Sequence, residues 1–335
     1  MRQSFHPFWR WGLPIAALLG VFWLSLFCYS AIPIPALSAL KALVTGSSSS
    51  LPEALVLNLR LPRSLVAVLI GASLALSGAL LQTLTHNPLA SPSLLGINSG
   101  AALAMALAMA LTSAFSSSLS GYPIAFVAAC GGGLCWLMVM AAGGGWRQTL
   151  DRNRLILAGV ALSALCMALT RITLLLAEDH AYGIFYWLAG GVSHARWVEF
   201  WQLFPFVITV TPVVLLLSNQ LNLLNIGDVS AHTLGVNLGR LRLILNLAVL
   251  ILVGACVSVA GPVAFIGLLI PHLARFWIGY DQRKLLPMSM LMGAAFMLLA
   301  DLLARALAWP GELPAGAVLA LIGAPCFVWL ARRRG

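Results

Sequence analysis

Ten apolar stretches constrain this chain more than any other feature, because each has about the length of a membrane-spanning helix, roughly 20 residues. Backbone polar groups in hydrocarbon must be satisfied within their own segment, so each stretch is predicted to be helical. The sequence therefore predicts an all-α, polytopic integral membrane protein with a single transmembrane domain, residues 1–335. The predicted spans are 12–32, 62–83, 94–113, 122–142, 154–176, 198–217, 242–260, 263–278, 288–307 and 315–331.

Composition supports a membrane protein. Only 8% of the 335 residues are charged and 61% are hydrophobic, whereas soluble domains carry about 25% charged residues. So few charges cannot cover a soluble surface, which excludes a soluble enzyme. The net charge of +10 would suggest nucleic acid in a soluble chain, but here the basic residues lie mostly in loops. We therefore expect a lipid bilayer and no nucleic acid as partner.

The distribution of basic residues predicts topology. With a cytoplasmic N-terminus, thirteen of the 19 Lys and Arg residues fall on the inside, and an even number of spans returns the C-terminus there. This follows the positive-inside rule. The six remaining basic residues are Lys41, Arg60, Arg63, Arg171, Arg196 and Arg305.

An internal echo predicts an inverted repeat. The small-residue stretch 71–78 in the second span matches 254–261 in the seventh, and a proline, Pro88 or Pro271, follows each at the same distance. Five spans separate the copies, so they cross the membrane in opposite directions, as in many transporters. Small residues also recur because they allow close helix packing, which is the simpler explanation.

Four polar residues near the outer ends of spans need an explanation. Arg60 and Arg63 precede the second span on the outer side, where they either extend toward the interface or recognise carboxylates through their planar guanidiniums. Asp301 and Arg305 lie four residues apart on one helix face. That spacing favours a local ion pair, and the alternative is that Arg305 reaches the outer surface for a partner.

The longest cytoplasmic connection contains the segment 227–235, GDVSAHTLG. Asp228 is predicted to cap a short helix that the final glycine ends. Exposed Val229, Ala231 and Leu234 would suit docking into a groove on a soluble protein, and an ordinary amphipathic loop helix is the alternative. The outer loop 177–196 is rich in aromatic residues and is read as either an interfacial belt or a gate.

Enzyme and metal signatures are missing. The dipeptide Gly-Lys is absent, so the sequence has no Walker A loop, and neither HExxH nor GxSxG occurs. The six histidines and six cysteines lack metal-ligand spacing. We therefore predict a non-catalytic chain with no metal and no cofactor of its own.

A series of motifs, in order along the whole chain, resembles the permease family of bacterial ABC importers for iron–siderophores, haem and cobalamin. Within that family, 178–197 and 96–107 look closest to the C-subunit permeases of ferric dicitrate importers. The motifs that carry the family resemblance are Arg60-Leu61-Pro62-Arg63, Asn87-Pro88-Leu89-Ala90, the 227–235 segment, Gly261-Pro262, Pro271-His272, Asp301 to Arg305, Glu312-Leu313-Pro314 and Gly323-Ala324-Pro325.

The resemblance implies an inverted-repeat, type II importer in the bacterial inner membrane that moves ferric dicitrate, an iron(III) chelate, from periplasm to cytoplasm. Its implied partners are a second, related permease subunit, two cytoplasmic ATPases that bind ATP and Mg²⁺, and a periplasmic substrate-binding protein. Another ferric siderophore, haem or cobalamin is the alternative cargo. An ion-coupled secondary transporter is a further alternative. It is disfavoured because no carboxylate lies at the membrane centre to carry a proton or sodium ion.

The resemblance also implies three sets of site residues. Arg60, Arg63 and Arg305 would meet glutamates of the binding protein. A coupling segment at about 223–240 would contact the ATPase through Gly227, Asp228, Ala231, His232, Leu234 and Gly235. The translocation pathway would involve Gln82, Asn87, Gly159, Ser163, Met167 and Thr170, and ordinary helix packing explains the last four equally well.

Overall fold

A computed structural model describes residues 7–48, 50–114, 122–144, 152–176, 185 and 187–332. These residues form helices joined by turns, with no strand among them. The α-helices are α1 Pro7–Phe27, α2 Ala36–Thr45, α3 Leu51–Leu55, α4 Leu61–Leu84, α5 Ile97–Ala114, α6 Tyr122–Gly143, α7 Arg152–Leu176, α8 Trp197–Leu216, α9 Ser218–Ile226, α10 Asp228–Thr233, α11 Leu238–Ala260, α12 Ile266–Ile278, α13 Gln282–Ala308 and α14 Ala315–Arg332.

Each of the ten predicted spans coincides with one helix. Seven helices of the described chain are long and apolar enough to cross a membrane, and the other three spans fall on the shorter apolar helices α5, α12 and α14. The described residues thus confirm the all-α membrane fold. A π-helical turn, Val56–Arg60, joins α3 to α4 in a helix that runs without a break from Leu51 to Leu84.

Two helices differ from simple spans. The eighth span, α12, has only 13 residues and contains Pro271, as the proline and glycine content of that stretch predicts. Phe265 precedes α12 with a φ of 67°, so the chain turns sharply into it. Helix α2 was not predicted as an element. It holds only ten residues between two spans, with Leu37 and Val44 exposed, which is too short for a span.

Helix α4 lies at the centre of the fold and is almost entirely buried. A Cβ added to Gly71 would stand 2.2 Å from the carbonyl oxygen of Gly293 in α13. A Cβ on Gly78 would stand 1.9 Å from the carbonyl oxygen of Gly267 in α12. Glycine is therefore required at both crossings, and α4 packs backbone to backbone against its two neighbours.

The helix contacts follow the predicted repeat, in which α4 to α7 correspond to α11 to α14. The contact between α4 and α13 has its counterpart between α11 and α6, and the contact between α4 and α12 has its counterpart between α11 and α5. Likewise α5 packs on α6 as α12 packs on α13, and α6 on α7 as α13 on α14. The short sequence echo thus belongs to an architectural repeat.

The repeat supplies a matched pair of substitutions. Gly71→Ala should destabilise the protein by about 1–3 kcal/mol or more, because the new methyl group meets the backbone of α13. Gly254→Ala, at the equivalent position of α11, should be neutral or slightly stabilising, because no atom lies within 4 Å of the added Cβ and alanine favours helix. Thermal unfolding of the two purified variants in detergent measures the difference, and equal destabilisation would contradict the close crossing.

Candidate functional site

Five charged residues meet at one end of α4 and α13, and we call them the outer charged cluster after the side of the membrane that the sequence predicts for them: Arg60, Arg63, Asp301, Arg305 and Glu312. The guanidinium of Arg63 is at its centre. Its Nε and Nη2 donate to Asp301 Oδ1 at 3.1 and 2.8 Å, and its Nη1 donates to the two Glu312 oxygens at 2.8 and 3.0 Å. One arginine thus uses its whole planar fork within the chain.

Most of this cluster is withdrawn from solvent. Arg63, Asp301 and Arg305 are exposed by 5%, 2% and 1%, whereas the Glu312 side chain is 38% exposed. Buried charges are tolerated only when they are paired and hydrogen-bonded. The pairing therefore explains why three such groups can lie inside a helical membrane protein.

Arg305 is held by its own chain. Its Nη2 lies 3.2 Å from Asp301 Oδ2, and its Nη1 donates to the carbonyl oxygens of Ser25 and Cys28 at 3.0 and 3.3 Å. The arginine thereby joins the end of α1 to α13. This is the local ion pair that the four-residue spacing favours, and Arg305 does not reach the surface in this structure.

Arg60 is the partly exposed arginine of the cluster. It lies near Arg63 and Arg305 and near the two carboxylates, but its Nη1 is buried without a hydrogen-bond partner among the described residues. Three guanidiniums face two carboxylates, so the cluster keeps one positive charge. Of the three arginines that the sequence assigns to docking, Arg60 is the one that can bind a further carboxylate without breaking an existing pair.

At the other end of the molecule, the coupling segment forms α10. Its N-cap is Gly227, with a φ of 125°, so the prediction that Asp228 caps this helix is wrong. Asp228 instead accepts a 2.6 Å hydrogen bond from Nη2 of Arg242, a buried residue of α11. This salt bridge fixes α10 to the next span. The sequence could not reveal it, because the partners are separated by a turn whose path no local pattern gives.

The outward face of α10 differs from the predicted one. Val229 and Leu234 are 80% and 62% exposed, and His232 is exposed as well. Ala231 is completely buried, so the prediction that it is exposed is wrong. Its carbonyl oxygen accepts from the Val236 backbone N–H, because the chain folds back after Gly235, which has a φ of 84°. The exposed apolar surface is therefore Val229 and Leu234.

A second polar junction ties α9, the helix that leads into the coupling segment, to α13. Asn222 of α9 donates to Asp281 Oδ1 and accepts from the Gln282 backbone N–H, each at 2.8 Å, and Arg283 donates to Asn219. The hydrogen bond from Asn222 is the main reason that the pKa of Asp281 is lowered. An aspartate before a helix predicts the cap of α13, but no local signal points to α9.

The predicted pathway residues fall into two groups. Gln82 is buried and donates to the carbonyl oxygens of Gly267 and Leu268 at 3.3 and 3.2 Å, and it accepts from Arg275. Asn87 is partly exposed and accepts from the Leu89 backbone N–H at 2.9 Å. In the structure these two side chains thus hold the C-terminal end of α4 and the turn after it.

The four residues of α7 do not share one environment. Gly159 and Thr170 are buried, Ser163 is half-buried and Met167 is 50% exposed. Of the four, only Met167 is exposed. Their role in a pathway stays a prediction. Nine of the twenty residues of the predicted outer loop or gate 177–196, namely 177–184 and 186, lie outside the described residues.

Removing the central carboxylate tests the outer charged cluster. Asp301→Ala leaves Arg63 and Arg305 buried without their shared partner, which should lower the free energy of unfolding by about 3–5 kcal/mol. The exposed Arg240 provides the control, because Arg240→Ala should change stability by no more than about 0.5 kcal/mol. Thermal unfolding in detergent compares the two, and a similar small loss for both would contradict the buried network.

Comparison with known proteins agrees with the architecture. Residues 17–333 match the FecCD transport family. The chain is 75% identical over 330 residues to the Fe(3+) dicitrate transport system permease protein FecC of Escherichia coli (strain K12), covering 98% of each. It is 41% identical over 279 residues to the hemin transport system permease protein HmuU of Yersinia pestis, covering 83% of each.

A solved structure shows the same fold. A metal-chelate type ABC transporter in an inward-facing conformation superposes with a TM-score of 0.84 at 31% identity, over 98% of this chain and 100% of that chain. The resemblance seen in the sequence motifs is thus confirmed, and the relatives are permeases, the non-catalytic transport components of their systems. This chain belongs to the FecCD transport family and is a membrane permease of an ABC transporter.

Proposed function

We propose that this chain carries ferric dicitrate across the bacterial inner membrane into the cytoplasm, as one permease subunit of an ATP-driven importer. The cargo is inferred from the 75% identity, over 98% of both chains, to a permease named for Fe(3+) dicitrate. Family membership alone does not select the cargo, since a haem permease is 41% identical. Another ferric siderophore, haem or cobalamin is the alternative.

The proposed assembly contains a second, related permease, two ATPases that bind ATP and Mg²⁺, and a periplasmic binding protein, with both termini of this chain cytoplasmic. Two features of the structure support it. The outer charged cluster carries one unbalanced positive charge at one end of α4, and α10 offers exposed apolar side chains beyond the other end. Energy and cargo would therefore reach the chain from opposite sides.

Docking of the binding protein is assigned first to Arg60. Its positive charge is the one that the two carboxylates of the cluster leave over, and acidic residues of a partner would satisfy it. Arg63 and Arg305 contribute in the resting state by holding the cluster together. An interface of this kind gains on-rate and orientation from charge complementarity more than it gains affinity.

The contact with the ATPase is assigned to the exposed face of α10. Val229 and Leu234 would enter an apolar groove, with His232 beside them, while Gly227 and Gly235 set the entry and exit of the chain. The salt bridge between Asp228 and Arg242 and the packing of Ala231 fix α10 to the spans. A displacement of this segment by the ATPase would thus be passed to α11 and, through Asn222, to α13.

Uptake tests the cargo. In cells that keep the outer-membrane receptor, binding protein, ATPase and second permease, deletion of this chain should abolish radio-iron uptake from ferric citrate, and its return should restore uptake. Uptake of other ferric chelates, which use their own permeases, is the control and should not change. Persistent ferric citrate uptake in the deletion strain would contradict the assignment of cargo.

Loss of uptake on depletion of ATP, with the proton gradient held, separates this proposal from an ion-coupled secondary transporter.

A substitution in α10 tests the coupling. Leu234→Asp should uncouple ATP hydrolysis from transport, because a charge cannot be accommodated in an apolar groove. We expect at least a tenfold loss of uptake with the protein still folded, since Leu234 is largely exposed. Leu234→Met keeps the apolar contact and should couple normally. Transport and ATPase activity are measured on the same proteoliposomes, and normal coupling in Leu234→Asp would contradict the assignment.

A further inference from the structure

Glu312 differs from the other members of the outer charged cluster in where it is attached. It lies in the short connection between α13 and α14, in which residues 309–313 are all exposed. The other four members are on helical segments that pack in the interior. Glu312 can therefore move without disturbing a helix.

The fork of Arg63 is divided between two carboxylates of different kinds. Its Nε and Nη2 face Asp301, which is buried and fixed on α13, whereas its Nη1 faces Glu312. The Glu312 side chain is 38% exposed and the Arg63 side chain only 6%. Glu312 is thus the more exposed of the two carboxylates that Arg63 binds, and it is bound through Nη1 alone.

The charges of the cluster are not balanced. Three arginines face two carboxylates, and Nη1 of Arg60 is without a hydrogen-bond partner among the described residues. An arriving carboxylate would be attracted by the remaining positive charge. If it bonded Nη1 of Arg63 in place of Glu312, one charge-assisted bond would replace another of the same kind, and Arg63 would never be left buried and unpaired.

We propose that Glu312 is an internal substitute for a partner's carboxylate: it occupies Nη1 of Arg63 while the permease is free, and an acidic side chain of the delivery protein displaces it on docking. This inference rests on the proposed function and names a competitor within the same site. Displacement frees the connection between α13 and α14 from its hydrogen bonds to Arg63. Glu312 is a positioning residue that acts through Arg63.

A purely structural role for Glu312 predicts the opposite result. If Glu312 only anchored its loop, its loss would loosen the cluster and weaken docking or leave it unchanged. If Glu312 competes with the partner, its loss should strengthen docking. The sign of the change therefore separates the two roles.

The test measures the Kd of the binding protein for the assembled permease–ATPase complex in nanodiscs. Glu312→Gln should tighten binding by up to about fivefold, the range of one partly exposed ion pair. Glu312→Asp keeps the competing charge and should bind like the parent. Glu199→Gln, which removes a carboxylate elsewhere in the chain, on α8, controls for net charge and should also bind like the parent.

Two further variants fix the interpretation. In an Arg63→Gln background, Glu312→Gln should have no effect on Kd. In the parent chain, Arg60→Glu should weaken binding at least tenfold. Weaker or unchanged binding by Glu312→Gln, with Arg60→Glu still harmful, would overturn the exchange and leave the proposed docking site in place. Unchanged binding in both Arg60→Glu and Glu312→Gln would overturn the exchange together with docking through this cluster. Thermal unfolding of each variant confirms that it is folded. If Arg63→Gln does not fold, the direction of the change in Kd for Glu312→Gln in the parent chain decides between the two roles.

Discussion

The close packing of α4 against α13 is the constraint on which the rest of the structure depends. The two helices are antiparallel, and three contacts along them define their register. These contacts are Arg63 with Asp301, the backbone approach of Gly71 and Gly293, and Thr83 with Gln282. The middle contact exists because neither glycine carries a side chain. It brings the polar ends of the two helices within hydrogen-bond distance, one end at each side of the protein.

This register has an electrostatic consequence. Only a fixed pair of helices can hold a guanidinium and a carboxylate in a bidentate geometry far from solvent. The outer charged cluster is therefore a product of the glycine crossing as much as of its own charges. The same applies to the opposite end of the pair, where Gln282 donates to Thr83 while Asn222 of α9 is hydrogen-bonded to the start of α13. The proposed contact with the binding protein thus lies on this pair of helices, and the proposed contact with the ATPase is linked to α13 through α9.

Local patterns in the sequence predicted the helices well and the contacts poorly. Apolar runs found all ten helices that correspond to the predicted spans, and the four-residue spacing found the pair of Asp301 with Arg305. The salt bridge between Asp228 and Arg242 was missed, and Ala231 was placed on the wrong face, because both depend on how the chain folds back after Gly235. The role of Glu312 was likewise invisible, since it joins Arg63 across 249 positions. Long-range contacts have no period along a sequence, whereas helices have one.

The two ends of the α4–α13 pair should face opposite sides of the membrane if one meets the binding protein and the other lies near the ATPase. The most direct test is cysteine accessibility in a background without the six natural cysteines, using a membrane-impermeant thiol reagent on intact spheroplasts. Trp309→Cys, beside the outer cluster, should be labelled in intact spheroplasts, and Leu234→Cys on α10 only after permeabilisation. Labelling of both from the same side, or of Leu234→Cys alone before permeabilisation, would contradict the account.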